Sequence, residues 1–204
     1  MTAPLAKGPR HRPQRDAASL EIRPISPDDK RGLAEGFAQL GEESRYRRFL
    51  SPHRALSAAE LRFLTEVDHH DHEALVAYDP QTGKGVGVAR YVRSTDDPHT
   101  AELAVAVVDD WHRRGVGTRL TSALAQRARE EGITVFTALL LTDNELVRNL
   151  VNEIGDVSIL NREHGTVEVA IELPEHGSGR LASLIRAVAA GALTPFAKRD
   201  RGDG

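Results

Sequence analysis

The 204-residue chain contains no cysteine. That excludes a disulfide framework and a thiol nucleophile, and it fits a reducing compartment. No apolar run approaches the ~20 residues that a membrane helix needs, so no spanning segment is expected. Net charge is only −3, which removes the global case for a nucleic-acid partner. The first residues, MTAPLAKGPRHRPQRDAAS, are basic but carry no apolar h-region and do not form a secretory signal. The cytoplasm is therefore the expected location. There is no internal repeat.

What remains is 40% hydrophobic and 28% charged, enough for one well-filled core. Residues 1–18 hold three prolines among four basic residues and read as a flexible basic tail. Residues 19–173 read as the folded domain. It opens with a strand, LEIRPI, and a helix capped by Ser26 with Pro27 behind it. EESRYRRFL follows as a second helix, and a third is announced by the Ser57/Glu60 capping box. From residue 73 the period changes to two. EALVAYD and VGVARYVR form a hairpin, and AELAVAVV is a fourth strand with Leu103, Val105 and Val107 on one face. A helix through Val116, Leu120, Leu124 and Ala128 follows, ending at Gly132. Then come the strand ITVFTALLL, a helix from Asn144 to Gly155, and two strands around NREHG. This mixture predicts an α/β (α+β) domain with a mixed, largely antiparallel sheet flanked by helices. Residues 174–204 would add an amphipathic helix near 177–191 and a loose end. That helix would pack on its own domain or on a twin subunit, which leaves a homodimer open.

The most informative stretch is DDWHRRGVGTRL, residues 109–120. A strand feeding a tight turn into a helix N-terminus aims several backbone N–H groups at one point, where the helix dipole adds positive charge. Gly115 and Gly117 permit close approach, and Arg113 and Arg114 add charge. The turn suits phosphate. It is no Walker loop, since no Gly-Lys-Ser/Thr follows. It is no dinucleotide fingerprint, since Leu120 stands where a third glycine belongs. Read alone, the same turn also fits a plain helix start with solvated arginines.

The segment AELAVAVVDDWHRRGVGTRLTSALAQRAREEGI resembles the acyl-CoA-binding core of the GNAT superfamily of N-acetyltransferases. That family's motif is Gln/Arg-x-x-Gly-x-Gly/Ala after the fourth strand. Here it reads His112-Arg113-Arg114-Gly115-Val116-Gly117, with His112 in place of the usual Gln or Arg. ESRYRRF, LTEVDHHDHEALVAY and VGVARYVR are similar, more narrowly, to the acetyltransferase domain of bacterial protein-lysine acetyltransferases. The resemblance implies a GNAT fold and acetyl-CoA as co-substrate. Val105, Ala106 and Val107 would line the pantetheine arm. Arg113, Arg114, Gly115, Val116, Gly117 and Thr118 would hold the pyrophosphate. Asn144 would contact the cofactor, a role that competes with service as an ordinary N-cap.

Amine acetylation needs a base, because an alkyl ammonium with pKa near ~10.4 has to lose a proton before attack. Glu102 is the candidate. It starts the fourth strand, faces away from Leu103, and stands where the resembling branch carries its catalytic glutamate. A backbone N–H near Val107 would stabilise the oxyanion. Many GNAT members donate a proton to the leaving thiolate from a Tyr seven residues after the Asn, a position held here by Val151. The acceptor would be a primary amine, either a protein lysine or a small molecule. An acyl-CoA-binding module without turnover is the rival of another class. The cluster DHHDH at 68–72 reads as a solvated turn near the acceptor entrance rather than a metal site. Trp111 reads as packing under the phosphate turn, and the basic runs RYRR and RHRPQR as solvated faces.

Overall fold

The computed structural model describes residues 17–49 and 54–174. The expected tail through residue 16 and the expected C-terminal helix lie outside the described residues. Ala17 and Ala18, at the end of that tail, belong to a 3-10 turn, Ala17–Ser19, with Ala17 buried. Its carbonyl and that of Leu20 accept hydrogen bonds from the Arg119 guanidinium, which ties the start of the domain to the central helix.

The elements run β1 (Glu21–Pro24), α1 (Lys30–Gln39), α2 (Glu42–Phe49), α3 (Ala58–Thr65), β2 (His72–Asp79), β3 (Lys84–Arg93) and β4 (Thr100–Val107). They continue with α4 (Val116–Glu130), β5 (Val135–Leu141), α5 (Glu145–Ile154), β6 (Asp156–Glu163) and β7 (Thr166–Glu172). The sheet order is β1-β2-β3-β4-β5-β7-β6. Among the described residues only β4 and β5 are parallel; every other pair is antiparallel. The expected α/β architecture and element order are those observed.

Two details differ from the sequence reading. Ser26 does cap, but it caps a 3-10 turn, Pro27–Asp29, and α1 starts only at Lys30. Asp29 is held by the Ser26 amide and by Arg23 (2.8 and 2.7 Å), which tightens this first turn. The hairpin turn expected over NREHG is shorter. His164 and Gly165 both take positive φ (46° and 83°), the two-residue geometry whose twist matches its strands. β6 therefore extends to Glu163.

The core lies between the sheet and α4 with α5. Tyr91, Leu120, Leu124, Phe136 and Ile171 are at or near zero exposure. Each such side chain removed from water stabilises the fold by about 1.5–3 kcal/mol. Leu103 belongs to this core, and Val105 and Val107 pack against it from the same face of β4. α4 closes in a Schellman arrangement, with the Ile133 amide reaching Ala128 O (2.9 Å) and Gly132 at φ 77°. The other face of the sheet is covered by α1–α3 at the β2–β4 end. It opens to solvent toward β5, where Leu139 is 48% exposed.

Candidate active site

β4 and β5 pair only over Thr100–Glu102 with Val135–Thr137. Beyond that, β4 stays with β3 as far as Val107, and β5 stays with β7 as far as Leu141. Each strand keeps its own antiparallel neighbour, so the two separate and leave a fork. A cleft of about 440 Å³ fills it, walled by Val105, Ala106 and Val107 on one side and by Asn144, Val147 and Leu150 on the other. The Val108 amide turns to Val86 O on the β3 side (2.9 Å). Alternation along a strand then turns the amides of Val107 and Val105 toward the cleft. The Val107 carbonyl is taken: His112 Nε2–H donates to it at 2.8 Å. The departing first residue of the motif thus braces the end of β4, while the strand's cleft-side N–H groups stay available.

The glycine turn closes the far end. Arg113 and Gly115 both adopt left-handed backbone (φ 57° and 77°), on either side of Arg114. Alternating handedness curls successive amides into an anion-binding nest. The α4 ladder begins with the Arg119 amide on Gly115 O (3.1 Å). The amides of Val116, Gly117 and Thr118 ahead of it have no helical acceptor. Arg113, Gly115, Val116, Gly117 and Thr118 all line the cleft. Arg114 does not share that wall. Its guanidinium lies over the Trp111 ring at 5.4 Å, and Trp111 is buried beneath the turn. Asn144 fills one of the two roles weighed for it, the N-cap, and stands where the other could be tested. Its side-chain oxygen caps α5 through the Val147 amide (3.4 Å), and the residue also lines the cleft, with its NH₂ group not used by the cap.

Glu102 stands at the fork, in the last β4–β5 pair. Its side chain is exposed on the face opposite Leu103, in a cross-strand row with Val92, Thr137 and Ala170. Above it lies Arg48 of α2, which the sequence reading placed on a solvated face. Its neighbour Arg47 bonds Glu43 at 2.6 Å and also lines the cleft. Arg48 instead turns inward. Burial pushes its guanidinium below the ordinary range, and the charge of Glu102 opposes that shift. The missed signal was spacing: Arg47 and Arg48 fall one helical turn after Glu43 and Ser44, and all four line the cleft.

Val151, the position of the family's tyrosine, is 2% exposed and part of the apolar core; it does not line the cleft. Leu150 presents the adjoining cleft-side surface. No tyrosine lines the cleft among the described residues. Tyr91 donates to His70 O (3.0 Å), and burial, with Glu73 and Glu131 nearby, pushes its phenol up to about 12.

The three histidines of DHHDH go to three partners. Asp68 Oδ1 accepts the amides of His70, Asp71 and His72. His69 then meets Glu73 (2.8 Å) and His70 meets Glu131 (2.5 Å). His72 Nε2 accepts from Arg90 Nη1 (3.0 Å), so that nitrogen carries no proton. Burial, and then the charge of Arg90, lower the His72 pKa from 6.5 to about 4. Between those values the unfolded chain binds a proton that the folded chain refuses. The stability that neutral His72 supplies is complete above about pH 6.5 and is lost as pH falls toward 4. The stability difference between wild type and His72→Gln, followed by urea unfolding from pH 7 to 4, should therefore shift against wild type in that window. A difference that stays flat would refute this placement of the proton.

A second cavity, about 520 Å³, lies on the opposite face under α1 and α3. Leu40, Arg48 and Ala106 belong to its wall and to that of the cleft.

The acetyltransferase (GNAT) family model matches residues 39–155. Acetyltransferase Pat of Mycolicibacterium smegmatis is 35% identical over 156 residues, 75% of this chain and 45% of that protein. The chain thus spans about half the length of that relative. The GNAT domain of S. lividans PAT superposes with a TM-score of 0.68 at 30% identity, over 76% of this chain and 90% of that one. The yncA protein of Salmonella typhimurium, whose structure holds its cofactor acetyl-CoA, shares the fold at a TM-score of 0.62 and 19% identity, over 80% of this chain and 99% of that one.

Proposed function

The chain belongs to the acetyltransferase (GNAT) family of acyl-CoA-dependent N-acyltransferases, and on that premise we propose that it transfers an acetyl group from acetyl-CoA to the side-chain amine of a protein lysine. The observation that carries the acceptor is the setting of Glu102. This carboxylate sits on an open, exposed sheet face and not inside a closed pocket, so a lysine on a large partner can reach it. Glu168 and Glu172 share that face of β7, in register with Leu139 and Val135, and they suit a cationic side chain.

The chemistry follows from the fork. The coenzyme lies along β4, with its pyrophosphate at the amides of residues 113–118 and its pantetheine against the free edge of Val105–Val107. Glu102 takes a proton from the lysine ammonium. For an amine of pKa ~10.4 the neutral form costs about 3.4 pH units, or about 4.6 kcal/mol, at pH 7, and a base that takes the proton as attack proceeds lowers the barrier that this cost adds. The neutral nitrogen attacks the thioester carbon, and a cleft-side amide of β4 stabilises the oxyanion. The departing thiol has a pKa near ~8.5 and leaves as thiolate, or takes its proton from water, with no tyrosine at hand.

Incubation with labelled acetyl-CoA and a panel of lysine-bearing peptides, free lysine and spermidine tests the acceptor. Mass spectrometry should locate acetyl on peptide Nε atoms at rates at least tenfold above those of the small amines. Labelling of the small amines alone would give the enzyme a small-molecule acceptor. Tight acetyl-CoA binding with no turnover on any amine would make it a sensor.

A further inference from the structure

The cavity beneath α1 and α3 is of a size that holds whole ligands, ~300–1,000 Å³, and it shares Leu40, Arg48 and Ala106 of its wall with the cleft. We propose that it is an acyl-chain site for a short acyl group ending in a carboxylate, so that the enzyme uses dicarboxylic acyl-CoA thioesters as well as acetyl-CoA. This rests on the reading of the cleft as the acyl-CoA site.

The central observation is Arg90. It rises from the middle of β3 and is only 4% exposed. Its hydrogen-bond partners are both neutral: the carbonyl of Leu64 and the unprotonated Nε2 of His72, each at 3.0 Å. Among the described residues no carboxylate forms an ion pair with it. Buried charges are ordinarily paired, because desolvation is costly. Arg48 brings a second guanidinium to the same wall. Burial, and then the charge of Arg48, lower the Arg90 pKa to about 9, as expected where a buried guanidinium at the inner end of the cavity has no carboxylate bonded to it. The cavity's own carboxylates stand at its outer wall, on residues 28–35. There Asp29 is bonded to Arg23 (2.7 Å) and Glu35 to Arg31 (2.8 Å), with Asp28 beside them. Between the two ends the lining is apolar, including Phe37, Leu64, Val76 and Val88. This arrangement suits methylenes that lead to a carboxylate.

The occupant is the acyl group and not the acceptor because of where the cavity joins the cleft. Ala106 of the pantetheine-facing segment is in its wall, and Glu102 is not. A chain entering here is tied to the thioester, whereas the amine has to meet Glu102 on the exposed side. The reaction is otherwise unchanged. The ammonium gives one proton to Glu102, and its nitrogen attacks the thioester carbon. The C–N bond forms and the C–S bond breaks. The second nitrogen proton leaves with the thiolate. A lysine so modified changes from positive to negative.

Calorimetric titration of the full chain with CoA, butyryl-CoA and succinyl-CoA tests this. The last two have four-carbon acyl groups and differ in the terminal carboxylate. Succinyl-CoA should bind at least tenfold more tightly than butyryl-CoA. Arg90→Gln should abolish that preference and leave the Kd for CoA unchanged. The wild-type comparison stands even if the variant fails to fold. Equal binding of the two thioesters, with normal binding of CoA, would overturn the proposal and leave the cleft assignment intact. Failure of CoA itself to bind would overturn both. Arg90-dependent binding of glutamate to the acetyl-CoA-loaded protein would overturn it in favour of an anionic acceptor.

Discussion

Glu102→Gln is expected to lower the maximal rate of acetyl transfer by roughly 10²-fold or more at neutral pH, with the affinity for CoA and the thermal midpoint unchanged. The substitution keeps size and hydrogen bonding and removes only the basic oxygen. Fold stability should hold because the side chain is exposed on the sheet surface, where substitutions usually move stability by no more than about 0.5 kcal/mol. CoA affinity should hold because Glu102 is not part of the cleft wall. The diagnostic is pH. A base matters only while the amine arrives as ammonium, so the defect should shrink as pH rises toward the amine's own pKa near ~10.4. Single-turnover rates from pH 6.5 to 10 would show two curves that converge at the alkaline end. Rates that coincide across the whole range would move the base elsewhere, or leave the amine to ionise unaided. A constant ratio at every pH would point to a positional role for the carboxylate.

The parts of this site that were legible in the sequence are those set by local geometry. A strand, a turn with two glycines and a helix start dictate where amides point, whatever packs around them. Residues 113–118 could be read as a glycine turn into a helix start for that reason, and Ser57 with Glu60 as a capping box. Strand alternation likewise put Glu102 and Leu103 on opposite faces. Other features depend on packing between distant segments. Arg48 lies in a run, RYRR, in which Arg47 is held by Glu43 at the cleft wall and Arg48 turns inward; composition does not show either placement. Arg90 sits in a strand whose register against β2 and β4 decides that it meets His72 and the second cavity. Val151 shows the reverse case. Counting from Asn144 finds the family position, but only the packed helix shows that this side chain belongs to the core. Of the Asn144 alternatives the N-cap is the one observed, and its place on the cleft wall leaves the amide group on the cofactor's side.

Gly117→Ala is expected to stabilise the fold slightly and to weaken CoA binding at least tenfold, which separates the two uses of the glycine turn. Gly115 and Gly117 carry different constraints. Gly115 has φ 77° and open space around a hypothetical Cβ, so its demand is conformational. Any L-residue there pays about 1–2 kcal/mol for left-handed backbone, and a loss of binding could then be blamed on a distorted turn. Gly117 lies within α4. A Cβ there would stand 3.5 Å from both Leu150 methyls and 3.9 Å from Val107 Cγ2, ordinary contact distances, so alanine fits without strain. Alanine within a helix is favoured over glycine by up to about 1 kcal/mol. The same methyl would occupy the cleft between the end of β4 and α5, where close approach to the amides of residues 116–118 requires a bare backbone. Thermal melting and calorimetry on the single variant should thus move in opposite directions: a midpoint equal to or above wild type, and a weaker Kd for CoA. Unchanged CoA affinity in a stabilised Gly117→Ala protein would take the pyrophosphate away from this turn. The Glu102 experiment is independent of that outcome, since Glu102 stands at the fork and is not part of the cleft wall.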